Sequence, residues 1–279
     1  MNYSIIDKII YNALNEDITN EDITTNSIIP LESLATVDLI IKNTGVIAGL
    51  NIFKRVFDIL GEVEVTFNEE DGNCVSSGKI VGNIRGNARN ILTGERTALN
   101  LLQKMSGIAT LTDKYCKAVH GTSAKIVDTR KTTPGLRILE KYAVKIGGGS
   151  NHRFNLSDGI LIKDNHIGAA GSVKEAIKLA KINTSFVKKV EVEAENFDMV
   201  VEALNAGADI IMLDNMSTDM MKKAVTYIDK KVITEASGNV NLKTVTDIAL
   251  TGVDLISVGN ITHSAPILDF SMKNMKIIK

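Results

Sequence analysis

Between residues 125 and 260 the chain repeats one pattern six times: a short apolar run that ends in polar or charged residues. The runs are KIVDTRKTTPG (125–135), GILIKDNH (159–166), VEVEAEN (190–196), IIMLDN (210–215), VITEASGN (232–239) and LISVGN (255–260). Runs of this length, rich in β-branched residues and bounded by turn signals, suit strands buried on both faces. Amphipathic stretches of helix length lie near 171–182, 196–205, 217–229 and 241–251. Strands that alternate with helices form βαβ units and a parallel sheet, and the polar run-ends then collect at its carboxyl edge, where α/β barrels carry their active sites. Six strands do not by themselves establish a closed barrel of eight.

The first hundred residues read differently. An amphipathic start (Ile5, Ile6, Ile9, Ile10, Leu14) leads into a polar stretch, then strands near 36–42 and 63–67 and a Gly-rich region at 71–87. This favours a separate α/β domain with antiparallel strands. From Thr93, placed as the N-cap, runs the longest helical pattern in the chain, with Leu99, Leu102, Met105 and Ile108 on one face. The domain junction is set along this helix: 1–108 for the first domain, 109–269 for the second, and 270–279 as a tail that returns to the first.

Composition bounds the partners. With 279 residues, 44% of them hydrophobic, a sizeable core is available, and a net charge of −1 gives no global attraction to nucleic acid or anionic membrane. Cys74 and Cys116 are far apart and in no CxxC pair, which disfavours a disulfide framework or a zinc site. No apolar run reaches the length of a membrane span, and a soluble cytoplasmic protein is expected.

Against that neutral background the run-ends are strongly charged. Arg130, Lys131, His152, Arg153 and Lys163 fall at or just after strand ends and imply a ligand with several negative charges. Alternation along VEVE puts Glu191 and Glu193 on one face, and along IIMLD it puts Met212 and Asp214 on one face. Glu193 and Asp214, last in their runs, are placed to hold ribose hydroxyls or a Mg²⁺, directly or through water. The last two strands end in Ser237-Gly238-Asn239 and Val258-Gly259-Asn260, whose backbone N–H groups can hold a phosphate. Gly147-Gly148-Gly149 follows a helix, not a strand, and is an entry to the strand that presents His152 and Arg153 rather than a nucleotide loop. His166 and His263 share no metal-ligand spacing with each other or with His152 and are structural, and Met216, Met220 and Met221 are assigned to the core.

GERTALN, DTRKTTPGLR, KYAVKIGGGSNHRFNLSDGILIKDNH, VEVE, IMLDN, EASGN and SVGNITHSAPILDFS, in that order over about residues 10 to 272, resemble the motifs of the quinolinate phosphoribosyltransferase family, also called nicotinate-nucleotide pyrophosphorylases. The resemblance implies an N-terminal α/β sandwich followed by an incomplete α/β barrel, a homodimer or larger assembly, and a Mg²⁺-dependent transfer of phosphoribose from phosphoribosyl pyrophosphate to quinolinate with loss of CO₂. It implies that Arg96, Thr129, Arg130, Lys131, His152, Arg153 and Lys163 bind quinolinate, with Arg96 reaching the neighbouring subunit's site. It also implies that Lys131, Lys163, Glu193, Asp214, Ser237, Gly238, Asn239, Val258, Gly259 and Asn260 bind phosphoribosyl pyrophosphate, with Lys131, Glu193 and Asp214 catalytic. SGN departs from the family's more frequent second glycine at Asn239. Three alternatives stand beside this reading: a Schiff-base lyase using Lys163, a silent phosphosugar-binding module, and a similar protein of molybdate transport operons.

Overall fold

The computed structural model describes residues 2–278. In chain order the elements are α1 (Tyr3–Asp17), α2 (Ile23–Ile28), β1 (Leu34–Ile41), β2 (Gly45–Val46), α3 (Leu50–Leu60), β3 (Val63–Phe67), β4 (Cys74–Val75), β5 (Ile80–Asn87) and α4 (Ala88–Ala118). Then follow β6 (Lys125–Val127), α5 (Arg137–Ile146), β7 (Ile160–Ile162), α6 (Asp164–Ala170), α7 (Val173–Ile182), β8 (Val190–Ala194), α8 (Phe197–Asn205) and β9 (Ile210–Asp214). The chain ends with α9 (Thr218–Ile228), β10 (Ile233–Ser237), α10 (Val245–Ala249), β11 (Leu255–Ser257), α11 (Asn260–His263) and β12 (Phe270–Ile278).

The elements fall into two compact units. The first joins residues 1–113 with 133–148 and 264–279, and the second joins 114–132 with 149–263. In the first, an antiparallel sheet runs β12-β1-β5-β3. Alternation along β1 buries Ala35, Val37, Leu39 and Ile41, as a strand with one face on a core requires. Helix α1 buries Ile6, Ile10 and Leu14 at helical spacing, and α3 packs on β3. Asp71 caps α3 by accepting from the backbone of Gly49 and Leu50 at 2.9 and 3.0 Å.

Helix α4 starts at Ala88, about a turn and a half before the expected Thr93. The true cap is Asn87, whose Oδ1 accepts from Arg89 and Asn90 N–H at 3.0 and 3.2 Å. Thr93 instead turns its hydroxyl to Asp22, at 3.3 Å. Arg96 is therefore exposed in the interior of α4 rather than in its first turn. The sequence division also put residues 133–148 with the barrel, whereas α5 belongs to the first unit. Its Glu140 pairs with Lys104 at 3.0 Å, its Tyr142 donates to Asp71 at 2.7 Å, and a Cβ on Gly147 would meet the Ala109 carbonyl at 2.4 Å, so the helix is seated on α4.

The second unit is built on a six-stranded parallel sheet in the order β6-β11-β10-β9-β8-β7. Helices α7, α8 and α9 follow their strands as βαβ crossovers, each opened by a side-chain cap from Ser172, Asn196 or Ser217. Strands β6 and β7 do not pair with each other in the sheet order, so the barrel is incomplete. No helix among the described residues is long and apolar enough to cross a membrane. Of the three methionines assigned to the core, Met216 and Met221 are buried, but Met220 is exposed on the outer side of α9.

Candidate active site

The pleat of the parallel sheet decides which side chains meet. In register, Glu193 lies beside Met212 and Met212 beside Glu235, while Asp214 lies beside Ser237. Residues two apart on one strand share a face, so Leu161 and Lys163, Glu191 and Glu193, Met212 and Asp214, and Glu235 and Ser237 all turn the same way. At the carboxyl end of this face is a cavity of about 520 Å³, lined by these residues except Glu191, together with Thr129, Arg130, Lys131, His152, Arg153, Asn215, Gly238, Asn239 and Ser257. Such a volume suits a small ligand.

The cavity's cations are held by local bonds. The Lys131 N–H donates to Thr129 Oγ1 at 3.0 Å, and its carbonyl accepts from Thr262 Oγ1 at 2.7 Å. Arg153 Nη1 donates to the Gly159 carbonyl at 2.9 Å. Burial, then the neighbouring charge of Arg130, holds the Arg153 guanidinium below its usual range, opposed by Glu191 and Glu193. Two cations side by side in a partly dry site favour an anion between them. Lys163 pairs with Glu193 across β7 and β8.

His152 and Arg153 are not on a strand, as the sequence had placed them. They belong to an irregular segment tied down by Asp128, a fully buried carboxylate just after β6 that accepts from Asn151 Nδ2 at 2.6 Å and from His152 N–H at 2.8 Å. Only Ser150 makes a strand-like bridge, to Val127.

Below His152 is the least expected feature. Its Nε2 lies 3.1 Å from Glu191 Oε2 and 3.5 Å from Glu235 Oε2, and both acids are buried. Three ligand atoms this close could suit a metal ion. The other ring nitrogen speaks against it: Nδ1 accepts the Arg153 N–H at 2.7 Å, so the ring proton of neutral His152 resides on Nε2, facing the acids. Metal-bound histidines instead donate from the far nitrogen. Burial, and next the charge of Glu191, pushes Glu235 up to about 8.

The two glycine-bearing loops behave differently. Ser237, Gly238 and Asn239 line the cavity. Val258, Gly259 and Asn260 do not: Val258 is buried, and Asn260 Nδ2 donates to the Tyr115 hydroxyl at 2.8 Å. Gly259 has its use in packing, since a Cβ there would stand 3.2 Å from Lys131 Cδ.

Models of the quinolinate phosphoribosyl transferase family match the chain twice, the N-terminal domain over residues 22–106 and the C-terminal domain over 108–273. The chain belongs to the quinolinate phosphoribosyltransferase family. It is 42% identical over 273 residues to the probable nicotinate-nucleotide pyrophosphorylase [carboxylating] of Bacillus subtilis, covering 98% of this chain and 94% of the relative. Among solved structures it is similar to NadC from Streptococcus pyogenes, with 46% identity, 100% of this chain and 99% of the other covered, and a TM-score of 0.97. The nicotinate-nucleotide pyrophosphorylase of Francisella tularensis is 39% identical, with 99% and 98% covered and a TM-score of 0.94.

Among the residues given roles by the quinolinate phosphoribosyltransferase motifs, Thr129, Arg130, Lys131, His152, Arg153, Lys163, Glu193, Asp214, Ser237, Gly238 and Asn239 line the one cavity. Arg96 is in the first unit. His166 has the structural place expected of it, with Nδ1 accepting the Lys163 N–H at 3.0 Å. Sequence reading passed over Asp128, Asn215 and Glu235. Glu235 had a signal: it stands two residues before Ser237, as Glu191 stands two before Glu193.

Proposed function

We propose that this chain transfers phosphoribose from phosphoribosyl pyrophosphate to quinolinate, releasing pyrophosphate and CO₂ and forming nicotinate mononucleotide for NAD synthesis in the cytoplasm. The observation that carries this reading is the single cavity at the carboxyl end of the parallel sheet, where Arg130, Lys131, Arg153 and Lys163 face Glu193 and Asp214, in a chain of this family.

The dicarboxylate is matched by the guanidinium groups of Arg130 and Arg153 and the ammonium of Lys163. His152, with both ring nitrogens engaged by the protein, presents its ring to the pyridine rather than an N–H. Lys131, beside the Thr129 turn, offsets charge on the departing pyrophosphate. The turn at Ser237-Gly238-Asn239 offers backbone N–H groups to the 5′-phosphate. Glu193 and Asp214, hard oxygen donors at adjacent strand ends, fit a magnesium ion, which takes one or two carboxylates together with substrate phosphates. Bound there, magnesium would neutralise phosphate charge.

Positioning and electrostatics then supply most of the rate. The pyridine nitrogen forms its bond to the anomeric carbon as the bond to pyrophosphate breaks, and the carboxylates steady the positive charge on the ribose. The ring nitrogen, now cationic, accepts the electron pair as the adjacent carboxylate leaves as CO₂, and a proton takes its place. Following the family resemblance, we assign Arg96, exposed on α4, to a second copy's cavity, which makes the active form at least a homodimer.

The test is turnover of purified protein with phosphoribosyl pyrophosphate, Mg²⁺ and either quinolinate or nicotinate. CO₂ and mononucleotide from quinolinate are expected; inactivity with quinolinate would overturn the assignment.

A further inference from the structure

The turns that follow β9 and β10 each hold a non-glycine residue in the left-handed region, Asn215 at φ +54° and Asn239 at φ +52°, on either side of Gly238 at φ +91°. Asparagine tolerates this conformation better than most residues, yet it is uncommon outside glycine and tends to persist where function requires it. Here the two strained residues are bonded to each other.

The Asn215 N–H donates to the Ser237 carbonyl at 3.0 Å, which ties the two turns together. The Asn215 side chain then lies over Gly238 so closely that a Cβ there would stand 2.2 Å from Asn215 Oδ1. From that position Asn215 Nδ2 donates to Asp214 Oδ2 at 2.8 Å, and Asn215 Oδ1 accepts from Asn239 Nδ2 at 3.0 Å. Asn241 Nδ2 steadies the end of the chain by donating to the Asn239 carbonyl at 3.3 Å.

The direction of this relay follows from chemistry. An ionised carboxylate only accepts hydrogen bonds, so Asn215 must turn its NH₂ toward Asp214. Its carbonyl oxygen is then left facing Asn239, which must answer with its own NH₂. Only residues that can donate will serve at 239, and glycine, though comfortable in the backbone there, cannot.

We propose that Asn215 and Asn239 are positioning residues that fix the orientation of Asp214 toward the phosphoribosyl group. The proposal rests on the reading of Asp214 given above. It explains why this chain carries asparagine at 239 despite the left-handed backbone.

The test is steady-state kinetics with each substrate varied, on Asn239→Gly, Asn239→Asp and Asp214→Ala, alongside thermal melting. Asn239→Gly relieves the backbone and is expected to melt no lower than the wild type, yet to raise KM for phosphoribosyl pyrophosphate about tenfold, as loss of an outer-shell partner does, with KM for quinolinate unchanged. Asn239→Asp cannot donate and is expected to do at least as much. An Asp214→Ala enzyme sensitive to phosphoribosyl pyrophosphate, beside Asn239 variants that keep the wild-type KM, would overturn the relay alone. An Asp214→Ala enzyme with wild-type KM and kcat would bring down the reading of Asp214 and the relay with it.

Discussion

His152 Nε2 stands 3.1 Å from Glu191 Oε2, inside a barrel face that in most parallel barrels is filled by aliphatic side chains. The proton on that nitrogen, with the buried Glu235 close behind, makes the floor of the cavity a polar cluster.

Stability should therefore depend on pH in an unusual direction. Glu235 holds its proton up to about 8 in the folded protein, while in the unfolded chain it releases it near the ordinary glutamate value. The folded state binds the extra proton between those limits, so this contribution is fully present below about pH 4.5 and is lost as pH rises toward about 8. The slope within the window is at most about 1.4 kcal/mol per pH unit. Glu235→Gln, which keeps the shape without the ionisation, should flatten the fall in unfolding free energy between pH 5 and 8 measured by urea titration. Parallel curves for the two proteins would contradict the shifted carboxyl.

Lys163→Ala should lower kcat/KM by about a hundredfold, the size expected when one preorganised charge is removed from an active site, and should leave Glu193 without its partner. Borohydride treatment of the wild type with a carbonyl substrate should trap no adduct, because Lys163, ion-paired with Glu193 as its ammonium, has no lone pair with which to attack a carbonyl. A trapped adduct at Lys163 would revive the lyase alternative.

Gly238→Ala should cost about 1–3 kcal/mol of stability, since φ is +91° and the new Cβ would collide with Asn215 at 2.2 Å. Thermal melting measures the loss. An unchanged midpoint would mean that the turns after β9 and β10 are looser than their hydrogen bonds imply.

Arg96→Ala should fold normally, because the residue is exposed, and should lose activity. Mixed and re-equilibrated with Lys163→Ala, it should recover about a quarter of wild-type activity, since half of randomly formed dimers carry one intact site. No recovery, with exchange of subunits shown, would confine Arg96 to its own chain.

The parallel sheet was legible because strands buried on both faces are written as short, mostly apolar runs, and most of the cavity's acids and cations were legible because they end those runs. Less could be read where tertiary contacts decide. Thr93 is a good N-cap residue, but Asn87 lies where β5 ends and wins the position. Residues 133–148 follow a barrel strand in sequence, yet Tyr142 and Glu140 bind Asp71 and Lys104 of the first unit. The partners of Asn239 were invisible because Asn215 is 24 residues away, and only the register of β9 on β10 brings them together.

Strand β12 forms an edge of the first sheet by pairing with β1, from Leu34 opposite Ile278 to Ile41 opposite Phe270. During synthesis β1 emerges from the ribosome long before its neighbour is made. The amino-terminal unit must wait, with one strand edge exposed, until residues 270–278 are made, and every βαβ unit of the barrel is made in the interval. A nascent chain stalled before residue 270 would therefore present that edge to chaperones or to other nascent chains.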